Sequence, residues 1–394
     1  MPSANLTAYA LDPSRITLNH GSFGACLKST LARQNTLRAE LEADPTGFFE
    51  HRFPVYLVET RARLASVLGA DGEGMVFLTN ATIGVSTVLH SLALKRHFAS
   101  GDELLTTDHV YPACLNALAA FAERAGAKTV VAKVPFPLTS ADDVERAVLD
   151  AVTDRTRLVL LDHVTSPTGL VFPIERLVKT LEARGIPVLI DGAHAPGMIP
   201  VDLRSLGASY YTANLHKWLS APKAAALLWA REDRRADLRP LVVSHGHGQG
   251  LMAEFDWTGT FDPTALFSVG AALDGFSELH PDGMAGVMRD GQAMALRAQA
   301  TLCDALQIAL PAPASMIGTL VSVPLPPLKE PLPPSLLPGA QDPDRIALEA
   351  ALHTRVPFFP WPDARHRLLR LSLAPYVSDD DVLQVADWLR ARFD

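Results

Sequence analysis

The chain has 394 residues, 48% hydrophobic and 20% charged, which is more than one ordinary core requires and too apolar for a disordered polymer. A formal net charge of -8 with no Lys/Arg-rich run argues against a nucleic-acid partner, and the three scattered cysteines (Cys26, Cys114, Cys303) argue against a disulfide framework or zinc ribbon and suit a reducing cytoplasm. No basic-then-apolar leader opens the chain and no apolar run nears about 18 residues, so neither export nor a membrane partner is expected.

In chain order, short apolar runs alternate with amphipathic ones. "GMVFLT", "ELLTT", "KTVVAKV", "RLVLLDHV", "IPVLID", "ASYYTA" and "AAALLWA" read as strands, several of them apolar on both faces. Between most of them lie helix-like stretches such as "GVSTVLHSLALKRHF", "PACLNALAAFAERAG", "SADDVERAVLDAV" and "PIERLVKTLEARG". Such alternation predicts βαβ units around a largely parallel sheet. Beyond Pro263 two long helical segments follow, and then "GTLVSVPLPPLKEPLPPSLLPG", whose prolines predict a loop or crossover and not a central strand. The tail reads helix, strand ("RLLRLSLA"), helix, a small α+β unit.

Open α/β sheets bind ligands at the carboxyl ends of their strands, and chemistry gathers there. "IPVLID" ends in Asp191 and continues as "GAHAPG", setting a carboxylate and His194 just past a buried strand. A carboxylate in that place is tolerable opposite a cation, although Asp before Gly equally suits a turn cap. "ANLHKWLSAPKAAALLWA" sets Lys217 between His216 and Trp218 ahead of another strand. Alone it reads as a solvated surface charge. Paired with Asp191 it suggests more: a buried lysine that loses its proton forms a Schiff base with an aldehyde, and an aspartate keeps the ring nitrogen of pyridoxal phosphate protonated. The run from Thr79 through Asn80, Ala81 and Thr82 opens a helix whose free N–H groups suit a phosphate, or an ordinary N-cap.

Taken in order, "LNHGSFGA", "TNAT", "DHVYPA", "DHVTSPTGLVFPI", "IDGAHAPG", "NLHKW", "WTGTFDP" and "RLSLAPY" resemble the fold-type I pyridoxal-phosphate enzymes of the class V aminotransferase family, nearest its isopenicillin N epimerase-like branch. The resemblance implies a mostly parallel seven-stranded sheet sandwiched by helices plus a small C-terminal α+β domain. Its expected divisions are an N-terminal segment (1–45) packing with the small domain, a large cofactor-binding domain (46–277) and the small domain (278–394). It implies that Lys217 carries pyridoxal phosphate as a Schiff base, that Asp191 pairs with the pyridine nitrogen and that His194 lies near the ring hydroxyl. Asn80, Ala81, Thr82 and His216 would hold the phosphate, Tyr111 would stack on the ring, and Thr258, Gly259 and Thr260 would reach the phosphate from the partner of a homodimer. Arg370 would grip the carboxylate of a small amino-acid substrate, with Asn19 and His20 beside it.

Two departures bear on the reaction. Cysteine desulfurases of the family carry a nucleophilic cysteine shortly before the arginine, and residues 341–369 contain none. Val377 stands where the family often has asparagine. Epimerisation and transamination are the expected reactions at the α-carbon, with C–S elimination as the alternative and a noncatalytic cofactor-binding regulator as the reading from another class. His245 and His247 in "SHGHGQG" lack a carboxylate to complete a metal set, and the G-x-G-x-G there is not followed by an acid-tipped βαβ unit. No metal is therefore expected.

Overall fold

A computed structural model describes residues 4–333 and 339–393. Twelve strands are present among them: β1 (Ile16–Thr17), β2 (Met75–Leu78), β3 (Glu103–Thr107), β4 (Lys128–Ala132), β5 (Thr156–Asp162), β6 (Val188–Asp191), β7 (Tyr210–Asn214), β8 (Ala226–Ala230), β9 (Leu320–Leu325), β10 (Thr354–Arg355), β11 (Phe358–Pro360) and β12 (Arg367–Ser372). The central sheet has seven strands in the order β2-β8-β7-β6-β5-β3-β4. All neighbours are parallel except β8, which runs against both β7 and β2. This is the mostly parallel α/β architecture expected from the apolar runs. Strands β3, β6, β7 and β8 are buried at every residue, so both faces are covered by other elements and the alternating pattern of a half-exposed strand disappears.

Local chemistry sets the connecting helices. Ser140 and Asp143 form a reciprocal capping box at the start of helix Ala141–Asp150. Helix Pro112–Ala125 begins with proline in its first turn and ends at Gly126 in the left-handed region. Helix Ala81–Leu94 lies so close to the sheet that a Cβ on Gly84 would fall 2.0 Å from Oγ1 of Thr212. Only glycine permits that approach.

The second sheet is antiparallel, with β12 between β11 and β9. Here the proline-rich stretch departs from expectation. Its first residues, Leu320–Leu325, form β9, because Pro324 sits on an edge strand whose outer side has no ladder to break. Residues 334–338 of that stretch lie outside the described residues. The N-terminal segment pairs β1 with β10 in parallel, and Leu18 accepts from Ser372 N–H through its carbonyl. One continuous apolar core runs from the central sheet through helices Val269–Leu279 and Gly283–Ala305 into the small sheet. Among the described residues no helix is long and apolar enough to cross a membrane.

Candidate active site

The carboxyl ends of β5, β6 and β7 and the start of helix Ala81–Leu94 meet at one edge of the central sheet, where the parallel strands run out. Beyond β7 the chain folds into a short closed loop. Leu215 N–H donates to Ala225 O (2.9 Å) and Ala221 N–H to Leu215 O (3.2 Å), while Ser220 and Ala224 take positive φ of 56° and 69°. Lys217 sits inside that loop, and a second segment braces it. Nε2 of His20 donates to the carbonyl of Lys217 (2.9 Å), and its Nδ1 accepts from the Tyr376 hydroxyl (3.1 Å). The turn after His20 approaches so closely that a Cβ on Gly24, at φ +72°, would lie 1.8 Å from the carbonyl oxygen of His216. The second glycine of "GSFGA" thus answers to packing against the lysine loop.

Nζ of Lys217 lies 3.1 Å from Nε2 of His194, whose Nδ1 accepts from the indole N–H of Trp218 at 3.2 Å. Burial, reinforced by the positive charge of Arg370, pushes the Lys217 ammonium down from 10.5 to about 8, against a smaller upward pull from Asp191. Burial likewise holds His194 well below 6.5 and His216 at about 4, so both imidazoles are neutral.

Asp191 closes β6. Its Oδ1 accepts from Ala193 N–H (2.9 Å) and its Oδ2 from the Cys114 thiol (3.3 Å). Asp162 closes β5 at the same level, in register with Asp191, and its Oδ2 has no partner. Burial, with the neighbouring Asp191 charge second, raises the Asp162 carboxyl well above the usual range, which makes Asp162 the protonated member of the pair. Burial raises the Cys114 thiol as well, and the Asp191 charge adds to it.

Arg370, on β12, is 1% exposed. Its Nη1 donates to Ser166 O (2.5 Å), its Nη2 donates to Ser22 Oγ (3.1 Å) and reaches Asn19 Oδ1 (3.5 Å), and the Phe359 ring centroid lies 4.6 Å from the guanidinium carbon. Nε has no partner, and among the described residues no carboxylate pairs with the group. Burial brings it down to about 9, so it keeps its charge at neutral pH.

At the helix start, the side chain of Asn80 caps Ile83 N–H (3.0 Å). Ala81 spends its N–H on Asn214 Oδ1 (2.9 Å), while the Thr82 amide has no partner among the described residues. Nδ1 of His216 faces Ala225 O (3.2 Å), which leaves its Nε2 open. Tyr111 stands at the N-cap of helix Pro112–Ala125, 43% exposed, with its hydroxyl raised first by burial and further by the Asp191 charge. Thr258, Gly259 and Thr260 form an exposed bend, and no hydrogen bond joins them to these groups. His245 and His247 share an exposed or half-buried turn, and no group of three or more potential metal ligands occurs among the described residues.

The donor set suits pyridoxal phosphate. A buried carboxylate has no ion-pair partner, a buried amine is mostly shed of its proton above about pH 8, a helix start carries an unused amide, and His216 keeps an open ring nitrogen. Asn214, Cys114, Asp162, Ser166, Ser22 and Trp218 join the site without having been singled out from sequence. Asn214 and Trp218 flank the lysine in "NLHKW", and Asp162 begins a second "DHV", the signals that pointed to them.

The model of the aminotransferase class-V family matches residues 48–385. A rice (Oryza sativa subsp. japonica) protein named putative L-cysteine desulfhydrase 1 is 35% identical over 322 residues, 78% of this chain and 67% of that protein. The isopenicillin N epimerase of Streptomyces clavuligerus is 30% identical over 97% of this chain and 96% of its own length. Among solved structures, a C-DES variant with glycine covalently linked to its PLP cofactor superposes with a TM-score of 0.76 at 19% identity, covering 96% of this chain and 97% of that one.

Proposed function

The chain belongs to the class V aminotransferase family of pyridoxal-phosphate-dependent enzymes, and on that premise we propose that it eliminates a sulfur leaving group from a cysteine-type amino acid. One observation carries catalysis at the α-carbon of an amino acid: a buried lysine amine lies in the field of a buried guanidinium that has no carboxylate partner among the described residues. Pyridoxal phosphate, when bound, supplies an electrophilic carbonyl and a conjugated ring that withdraws electrons from the α-carbon. Lys217 would hold it covalently, Asp191 would face its ring nitrogen, and the Thr82 amide with His216 would meet its phosphate. Arg370, fixed by Ser166, Ser22 and Asn19, forks onto the substrate carboxylate and orients the α-hydrogen. The amine of Lys217 accepts that hydrogen as a proton. The Cβ–S bond then breaks, its electron pair leaves with sulfur and the sulfur takes a proton from water, while Tyr111, at the start of helix Pro112–Ala125, would stack on the ring.

Elimination is favoured by the identity to a protein named a cysteine desulfhydrase, and by the lack of cysteine in residues 341–369, which leaves no thiol there to receive sulfur. Epimerisation stands as the second reading because the similarity to isopenicillin N epimerase runs over almost the whole chain. The exposed Thr258–Thr260 bend, next to exposed Phe261, supports a homodimer in which this bend serves the partner's site. Three unpaired cysteines support a cytoplasmic location. The test is a panel of amino acids scored for sulfide and pyruvate, for keto acid, and for α-proton exchange. Sulfide and pyruvate from L-cysteine support elimination. Exchange with inversion and no sulfide moves the assignment to epimerisation, and silence in every channel refutes catalysis at the α-carbon.

A further inference from the structure

Trp218 is 5% exposed, and its ring lies 5.0 Å from that of His20. Its one polar atom is an N–H, which donates and never accepts. That N–H lies 3.2 Å from Nδ1 of His194, so Nδ1 must carry a lone pair. A neutral imidazole then has its proton on Nε2, the atom 3.1 Å from Nζ of Lys217. An ammonium offers only donors, and two facing donors cannot bond. The contact is therefore a hydrogen bond only when Lys217 is the free amine and accepts.

We propose that Trp218 is a positioning residue for the reactive lysine: its indole fixes the tautomer of His194, whose Nε2–H then holds Lys217 as an unprotonated, oriented amine. The inference rests on Lys217 being the cofactor-linking residue but not on which reaction follows. Without the indole the imidazole is free to move its proton to Nδ1 and turn a lone pair toward Lys217, which favours the ammonium. The other groups facing the pair, Arg370, Asp191, Asp162, Cys114, His20 and His216, are the same in either case.

The test uses cofactor-free full-length protein and two readouts that need no turnover. In histidine-labelled wild type, 15N NMR at pH 8 should give His194 a pyridine-type Nδ1 and a pyrrole-type Nε2, the signals being assigned by their loss in His194→Gln. In Trp218→Phe the Lys217 titration midpoint, read by amine acylation and mass spectrometry, should rise by about one pH unit, roughly tenfold less free amine at pH 7. A pyrrole-type Nδ1 in wild type overturns the proposal. An unmoved midpoint in folded Trp218→Phe also overturns it, and if that variant does not fold the wild-type tautomer decides alone. Failure of the amino-acid panel with the tautomer as expected refutes elimination and leaves this inference standing.

Discussion

Replacing Lys217 with methionine should stabilise the cofactor-free protein at neutral pH and cease to do so in alkali. Burial carries the lysine from 10.5 to about 8, which charges the folded state about 3 kcal/mol for holding the ammonium below pH 8. Between about 8 and 10.5 the unfolded chain binds the proton and the folded chain does not, so wild-type stability rises with pH across that window. Methionine has nothing to titrate. Against this gain stands a constant loss of about 1–3 kcal/mol, because the His194 Nε2–H loses its acceptor. The informative quantity is therefore the stability difference, methionine variant minus wild type, followed over pH. Titrations of groups that Lys217 does not face cancel in it. Urea midpoints at pH 7, 8, 9 and 10.5 should show the difference falling by about 3 kcal/mol, mostly between 8 and 10.5. A difference that stays flat means that Lys217 titrates as an exposed lysine, and the argument from burial is wrong.

Arg370→Lys removes the planar fork while keeping a charge, and kcat/KM for the best amino acid of the panel should fall about 10–100-fold, the equivalent of about 1.5–3 kcal/mol of charge-assisted bonding; a change under threefold would clear the arginine of carboxylate binding. Gly84→Ala drives a methyl into Thr212 and should lower stability by about 1–3 kcal/mol in thermal melts, with no loss expected if the helix simply rides outward. Arg367, 3% exposed, binds both oxygens of Asp342 (2.9 and 3.0 Å) and Asp344 (2.5 Å), so Arg367→Met leaves two buried acids short of a cation and should cost about 3–5 kcal/mol by urea denaturation; an unchanged midpoint would show that Arg392, which also pairs with Asp344, carries the cluster.

The central sheet was legible because its strands are buried on both faces and read as unbroken apolar runs, and the parallel order followed from the helices between them. Lys217 and Asp191 were legible because each stands at a strand end where a charge needs a reason. Partners far away in sequence were not. The thiol of Cys114 meets Asp191 across 77 residues, and Arg370 meets Ser166 across 204. Neither pairing leaves a local pattern. Asp162 became informative only once β5 and β6 were in register, which sets two carboxyl groups side by side. Ala81 was expected to offer its N–H to a phosphate, yet Asn214 takes it, since the end of β7 lies directly beneath the helix start. The strand Leu320–Leu325 was hidden by Pro324, a residue that forbids a central position and not an edge.

The central claim is that Lys217, among all the lysines, is the one that carries pyridoxal phosphate. Borohydride reduction of the cofactor-loaded protein, followed by digestion and mass spectrometry, tests it most directly. A pyridoxyl mass on the peptide containing Lys217, absent from Lys217→Ala, is the predicted result. The same mass on exposed Lys223, whose Nζ instead donates to Gly24 O at 2.9 Å, or on any other lysine, would contradict the account.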